Sequence, residues 1–170
     1  MPSTPPSDLD PHGAKQRAFR KALGSFATGV TIVTTMGHTD EPIGVTASSF
    51  NSVSLDPPLI LWSLAKSSLS YQAFSESGHF AVHVLAENQS ELSSRFAQSK
   101  SNKWDGLDWH AGQLGSPLLG EFLALFECRT HAQYDGGDHV IMLGEVVNFE
   151  LRDHAPLLFH SGAYAGKRPI

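Results

Sequence analysis

The chain has 170 residues, of which 41% are hydrophobic and 17% charged, and this composition is typical of a globular domain. The chain is too short for two ordinary domains. Its net charge of -5 argues against nucleic-acid binding, which needs a basic surface. Cys128 is the single cysteine, so an intramolecular disulfide and a cysteine-based metal cluster are excluded. No apolar run reaches the roughly 18 to 20 residues of a membrane span, and no signal-peptide pattern is present, which predicts a cytoplasmic protein without membrane contact.

The N-terminal segment is rich in proline and poor in large apolar side chains. Such a segment buries too little surface to offset the entropy of ordering it. We therefore predict a disordered tail over residues 1–12 and one folded domain over residues 13–170. From Ala14 to about Phe26, apolar residues recur at helical spacing among lysines and arginines, which predicts an amphipathic helix that packs on the domain.

Short runs of β-branched residues follow Gly29. The runs VTIVTTM and IGVTASSF predict a hairpin. The apolar runs LILWSL and HFAVHVLA predict two central strands, the first of them buried on both faces. Between these two runs we expect a short helix, capped by Ser67 or Ser68 and stopped by Gly78. After them we expect a second short helix over QSELSSRFA, capped by Asn88.

The C-terminal third predicts another hairpin, with its turn at Gly136 and Gly137, and a closing strand in PLLFHSGAY. About seven strands, two or three short helices and no regular β-α-β alternation favour a mainly β fold, a small closed or partly open antiparallel barrel. A barrel of this size fills its interior with side chains, so a ligand binds outside it or between subunits. This predicts a homodimer with shared sites.

Histidines suggest a metal site at first, because His79 and His83 lie on one face of one predicted strand. Four residues of strand separate their Cα atoms by about 13 Å, whereas two ligands of one zinc ion need nitrogens within about 3 to 4 Å. We predict no metal site.

Three segments combine regular structure with many small hydroxyl residues: IGVTASSFNSVSLDPP, WSLAKSSLSYQAF and SELSSRFA. Each alone is consistent with an edge strand or a helix cap. Together they match the needs of a flavin, which lies on apolar backbone, uses donors and acceptors along its polar edge, and has a phosphate held by hydroxyls and amides.

The motifs TASSF, SVSLDPP and GGDH occur in that order, within a longer run from FRKALGSFATGVTIVTT to PLLFHSGAY. This combination resembles the short-chain flavin reductases, the NAD(P)H-dependent components of two-component flavin monooxygenases, over roughly Arg17 to Gly166. The resemblance implies an FMN-binding split β-barrel with Greek-key-like topology, usually homodimeric. It also implies hydride transfer from NADH or NADPH to FMN or FAD, with release of reduced flavin to a separate monooxygenase.

The resemblance also implies site residues by position. The flavin would be bound by Pro42, Gly44, Val45, Thr46, Ser48, Ser49, Ser63, Leu64, Ala65, Leu69, Ser70, Arg95 and Phe96. The nicotinamide side would comprise the catalytic residue His139 together with Phe159, His160, Ser161 and Gly162. We expect hydroxyls of Thr46, Ser48 and Ser49 to donate to the flavin, and His139 to donate to the nicotinamide carboxamide. Leu69 stands where relatives often have a basic or hydroxyl residue, and Lys66 is expected to compensate.

Two other functions fit the same barrel. One is a reductase of another cofactor, such as a corrinoid, with tightly held FMN as an electron relay. The other is a non-catalytic flavin- or haem-binding module, because a fold does not fix the chemistry. The motifs GGDH and PLLFHSG favour an enzyme.

Overall fold

The structure, a computed structural model, describes residues 11–99 and 102–167. Its helices are α1 (Pro11–Gly24), η1 (Glu87–Gln89, a single 3-10 turn), α2 (Tyr71–Glu76) and α3 (Ser90–Phe96). Its strands are β1 (Thr28–Gly29), β2 (Thr31–Met36), β3 (Pro42–Ala47), β4 (Asn51–Leu55), β5 (Pro58–Ala65), β6 (His79–Val84), β7 (Trp109–Ala111), β8 (Pro117–Leu119), β9 (Ala124–Gly136), β10 (His139–Leu151), β11 (Leu158–His160) and β12 (Ala163–Ala165). The predicted tail lies mostly outside the described residues, and α1 begins at Pro11.

Seven strands form the main sheet, in the order β3-β2-β6-β9-β10-β5-β4, and every neighbouring pair is antiparallel. Two small sheets, β1-β11-β12 and β7-β8, lie beside it. Strand β3 and strand β4 are the edges of the main sheet, and β3 also contacts β5. The main sheet therefore curls until its two ends meet without closing by hydrogen bonds, and the prediction of a mainly β, partly open antiparallel barrel is confirmed.

The core packs around Trp62, which is fully buried. Its ring makes edge contacts with Phe74 of α2, at 4.9 Å between centroids, and with Phe80 of β6, at 5.8 Å.

Strand β2 is buried along five successive residues because side chains cover both of its faces. Its threonine hydroxyls find carbonyl partners there: Thr34 donates to Pro117 and Thr35 to His79.

The two apolar runs behave differently. HFAVHVLA forms β6, which lies between β2 and β9 and is buried along four successive residues, so this prediction is confirmed. LILWSL forms β5, in which buried Ile60, Trp62 and Leu64 alternate with half-buried residues. The prediction of burial on both faces is therefore wrong for LILWSL, because only one face of β5 packs into the core.

Helix boundaries differ from the sequence patterns. Ser70, and not Ser67 or Ser68, precedes α2, whereas the chain does turn at Gly78 with a φ of 73°. Asn88 caps no helix: the Ala86 backbone N–H donates to Oε1 of Gln89 at 2.8 Å, and α3 begins at Ser90.

Helix α1 is amphipathic as predicted, but it does not bury its apolar side on this chain. Phe19 and Leu23 are 62% and 60% exposed, and Phe26, which follows the helix, is 77% exposed. The Ser161 backbone N–H donates to the Gly24 carbonyl at 2.8 Å, so the end of the helix touches the β11–β12 hairpin. The prediction that this helix packs on its own domain is wrong for its apolar face.

His83 is a core residue. It is fully buried, and the Leu119 backbone N–H donates to its Nε2 at 3.1 Å, so its Nδ1–H donates to the Ile32 carbonyl. Burial lowers its pKa to about 4. Within the described ranges, no group of three or more His, Cys, Asp or Glu side chains is placed to hold a metal ion. No described helix has the length and apolarity needed to span a bilayer.

Cys128 lies on β9 and is completely buried in the core. Burial, assisted by the neighbouring Glu127 charge, raises the pKa of this thiol to about 12.

His83→Gln should remove part of the acid sensitivity of the fold. Because the folded-state pKa of His83 lies below the ordinary 6.5, the stabilisation from its neutral ring is complete above pH 6.5 and is lost as pH falls towards 4. Between pH 7.5 and pH 5 this amounts to about 2 kcal/mol of unfolding free energy. Glutamine keeps one donor and one acceptor.

Urea unfolding at the two pH values measures the effect, with exposed His154→Gln as the control. The wild type and the control should lose more stability on acidification than His83→Gln does. Equal losses in all three proteins would show that His83 does not titrate in this way.

Candidate functional site

The site lies where the two ends of the main sheet meet. In the described chain, β3 pairs with β2 alone, so alternate backbone N–H and C=O groups on its other edge have no strand partner. Strand β4 pairs with β5 from Pro58 to Leu61, which leaves the following residues of β5 open on the same side. A cleft of about 370 Å³ lies along these two edges, and we call it the seam cleft.

Most of the predicted flavin residues come together here. The seam cleft is lined by nine residues singled out from the sequence: Val45, Thr46, Ser48, Ser49, Ser63, Leu64, Ala65, Phe96 and His139. A second groove of about 400 Å³, the Ser70 groove, is lined by four more: Pro42, Gly44, Leu69 and Ser70. The cleft and the groove share Ser99 and Lys103, so they adjoin.

Arg95 lines a third space of about 440 Å³, which we call the Tyr164 groove and which shares Gln98 and Lys103 with the seam cleft. The Arg95 guanidinium donates to the backbone carbonyls of Asn102 and Asp105, so it holds the loop after α3.

The four C-terminal residues of the predicted nicotinamide side line none of these three spaces. They belong to the β11–β12 hairpin, whose turn is made by Ser161 and Gly162 with φ values of 50° and 81°. Phe159 packs on Tyr164 at 5.5 Å, and the Tyr164 hydroxyl is 2.8 Å from Oγ of Ser93. The hairpin therefore packs beside α3, next to the Tyr164 groove, and a role for Phe159, His160, Ser161 and Gly162 in binding nicotinamide stays a prediction.

Two hydroxyls of the seam cleft are already used within the protein. Thr46 Oγ1 donates to the Ser93 carbonyl at 2.6 Å, which ties β3 to α3. Ser49 Oγ accepts the Ser63 N–H at 2.9 Å and donates to the Ser63 carbonyl at 3.2 Å, which ties the β3–β4 loop to β5. Their hydroxyl protons are therefore committed, so a ligand must find its donors among backbone N–H groups and the other polar side chains of the cleft, which include Ser48 and Lys103.

Only cationic or neutral groups line the seam cleft: among its described lining residues Lys103 and His139 are ionisable, and none is a carboxylate. Lys103 Nζ donates to the carbonyls of Gly44 at 3.2 Å and Phe96 at 2.9 Å. Partial burial lowers its pKa. An electron-rich or anionic ligand is favoured in such a field.

Lys103 was not singled out from the sequence, because a lysine in a polar loop is typical of a solvated surface. Lys66, the expected substitute for a basic residue at Leu69, forms an ion pair with Asp135 and lines neither the seam cleft nor the Ser70 groove. The expectation that Lys66 compensates is therefore wrong, because its charge is used elsewhere.

His139 stands at the first position of β10, directly after the turn that contains Gly137. Its Nδ1 lies 2.7 Å from the Asp138 carboxylate, and this hydrogen bond holds the pKa of Asp138 below its usual value. The carboxylate accepts, so Nδ1 carries the proton and a neutral ring presents Nε2 as an acceptor. The sequence predicts His139 as a donor to the nicotinamide carboxamide, and its contact with nicotinamide stays a prediction.

The residues present fit a flavin. The seam cleft has a volume within the range of small-molecule sites, open backbone edges on two sides and the apolar lining residues Val45, Leu64 and Phe96. It has hydroxyl oxygens for the polar rim of the ring and a lysine at the boundary with the Ser70 groove, where a phosphate could lie.

Residues 23–168 match the family model of the flavin reductase like domain. The chain belongs to this family. It is 51% identical to the FMN reductase (NADH) SmoA of Agrobacterium fabrum over 154 residues, which cover 91% of this chain and 87% of that protein. The resemblance inferred from the sequence motifs is thereby confirmed.

Two solved structures of family relatives superpose closely. Nitrilotriacetate monooxygenase component B from Mycobacterium thermoresistibile is 42% identical, with a TM-score of 0.89 and coverage of 93% of this chain and 89% of that chain. The NADH:FAD oxidoreductase SgcE6 of Streptomyces globisporus, solved with NAD and FAD fragments, is 36% identical, with a TM-score of 0.85 and coverage of 99% and 98%. The split-barrel fold expected from the sequence agrees with these structures.

Gly44→Ala should disturb the seam cleft through packing. A Cβ at this position would lie 2.4 Å from Cε1 of Phe96 and 3.1 Å from Cζ2 of Trp104, so both rings must move. We expect a loss of about 1 to 3 kcal/mol in the free energy of unfolding and weaker flavin binding, because Phe96 lines the cleft.

Urea unfolding and flavin fluorescence quenching measure the two effects. Gly29→Ala is the matched control, since a Cβ there meets no atom within 4 Å. Gly→Ala alone restricts the unfolded chain and does not destabilise the fold, so similar losses in both variants would show that the cost does not come from the contact with Phe96.

Proposed function

We propose that the protein is an NAD(P)H:flavin oxidoreductase that transfers a hydride from a reduced nicotinamide to FMN or FAD and supplies the reduced flavin to a separate flavin-dependent monooxygenase. The observation that carries this proposal is the seam cleft, which has open backbone edges and, among the described residues that line it, one lysine and no carboxylate. The relatives support it: SmoA is named an FMN reductase that uses NADH, and SgcE6 an NADH:FAD oxidoreductase.

Hydride transfer depends on position more than on proton transfer, because the donor and acceptor atoms must approach within about 3 to 3.5 Å. When bound, the flavin supplies the ring that accepts the hydride. The edges of β3 and β5 would hold that ring, and their free N–H groups would stabilise negative charge on it. His139, which is hydrogen-bonded to Asp138, would contact the carboxamide of the nicotinamide.

NADH oxidation by the purified protein should require added FMN or FAD and saturate with it, because the flavin acts as a substrate that leaves. The measurement is the fall in NADH absorbance in air, with parallel assays that replace NADH by NADPH and omit flavin. A rate that is unchanged without free flavin would favour a tightly held relay of the corrinoid-reductase kind. A protein that binds flavin and oxidises neither nucleotide would be a binding module.

His139→Ala should weaken nicotinamide binding and leave flavin binding nearly unchanged. Loss of one hydrogen bond of about 0.5 to 1.5 kcal/mol raises the KM for NADH roughly 2- to 12-fold. Asp138→Asn should have a smaller effect in the same direction, because it frees the orientation of the ring. Steady-state kinetics measures the KM for NADH, and flavin titration measures the Kd for flavin. Equal changes in the two constants would contradict the assignment of His139 to nicotinamide binding.

We also propose a homodimer. Phe149 and Leu151 are two residues apart on β10 and are 71% and 75% exposed, and Leu55 of edge strand β4 is 96% exposed. Residues two apart on a strand share one face, and a second copy of the chain would bury these side chains. Sedimentation equilibrium tests the assembly, and a monomer at micromolar concentration would refute it. The cytoplasmic location stays a prediction from composition.

A further inference from the structure

Lys103 stands where three spaces meet. Among the described residues, it alone lines the seam cleft, the Ser70 groove and the Tyr164 groove together. Neither the sequence motifs nor the proposed hydride transfer assigns it a role.

The ammonium group has one N–H left for a ligand. A lysine carries three donors, and two of them reach the carbonyls of Gly44 and Phe96, which fixes Nζ between β3 and the end of α3. The side chain is partly buried, which makes an uncompensated charge costly. A ligand anion at this position would restore the interaction energy that the charge loses on leaving water.

The charges around Lys103 favour the boundary between the seam cleft and the Ser70 groove. Glu41 is the one carboxylate lining the Ser70 groove in the described chain, and it accepts the N–H and hydroxyl of Thr39 at 2.9 and 2.6 Å. The Tyr164 groove is less suitable for an anion, because Glu91 and Asp105 line it and the Arg95 guanidinium is engaged with the loop.

We propose that Lys103 binds the phosphate next to the ribityl chain of FMN, which FAD also carries, and so makes the protein prefer phosphorylated flavins to riboflavin. This inference rests on the proposed function. It explains how the chain tolerates Leu69 in the Ser70 groove, since the cation comes from the loop after α3 and not from the start of α2. Lys66, which is paired with Asp135, makes no such contribution.

Lys103→Met keeps the length and apolar stem of the side chain and removes the charge. Titration by quenching of flavin fluorescence gives the Kd of FMN and of riboflavin for each protein. We expect the wild type to bind FMN more tightly than riboflavin. The variant should bind FMN at least about tenfold more weakly, the loss typical of a hydrogen bond to a charged group, and riboflavin with a Kd within about twofold of the wild-type value.

Lys66→Met is the matched control and should change neither Kd, because Lys66 lies outside both spaces. Equal weakening of FMN and riboflavin by Lys103→Met would mean that Lys103 only fastens β3 to α3, and would overturn the proposal. An unchanged Kd for both flavins would overturn it too.

Two further measurements remain informative if Lys103→Met does not fold. In the wild type, rising salt should weaken FMN and leave riboflavin nearly unaffected, and Lys103→Arg should keep the preference for FMN. If the wild type binds both flavins equally well, the role of Lys103 is overturned and the proposed function is not. If the wild type binds FMN more tightly than riboflavin but shows no NADH-dependent reduction, the proposed function is refuted and the role of Lys103 is not. If it binds neither flavin, the proposed function and the role of Lys103 are both refuted.

Discussion

The unpaired backbone edges of β3 and β5 are the constraint on which the rest of the site depends. An open edge in a β protein invites pairing with another chain, and most folds cover it. Here the main sheet curls until its two ends face each other, but β3 does not pair with β4 or β5. Side chains bridge part of the space between these ends: the Ser49 hydroxyl occupies the N–H and carbonyl of Ser63, and Lys103 holds β3 to α3. What remains open is a set of fixed backbone donors and acceptors along the seam cleft.

Several features of the fold followed from local patterns. The hairpin turn at Gly136 and Gly137, the buried strand in HFAVHVLA and the mainly β architecture needed nothing more than periodicity and turn chemistry. The face of β5 that packs inwards did not, because a nearly continuous apolar run carries no period, and the half-burial of Leu59 and Leu61 depends on which strands lie across from them. The prediction that Asn88 caps α3 failed for a similar reason. Buried Gln89 is hydrogen-bonded both to Ala86 and to the distant Glu121 carbonyl, and the second contact is not visible in the local sequence.

The site shows the same division between local and long-range information. The motifs TASSF and GGDH predicted residues on two sides of the seam cleft. TASSF lies at the end of β3, and GGDH lies at the turn between β9 and β10. No local signal located Lys103, whose position arises only when a loop folds back over β3 and the end of α3. Nor could the sequence show that Thr46 and Ser49 use their hydroxyl protons inside the protein, because their partners are 47 and 14 residues away along the chain.

The buried thiol of Cys128 suits a protein that handles reduced flavin in air. Free reduced flavin reacts with dioxygen to give hydrogen peroxide, and peroxide attacks thiolates much faster than thiols. With a pKa raised to about 12 and no solvent contact, Cys128 stays protonated at physiological pH and out of reach of that oxidant. The chain has no other cysteine, so its catalytic lifetime does not depend on a reducing environment to repair sulfur oxidation at cysteine.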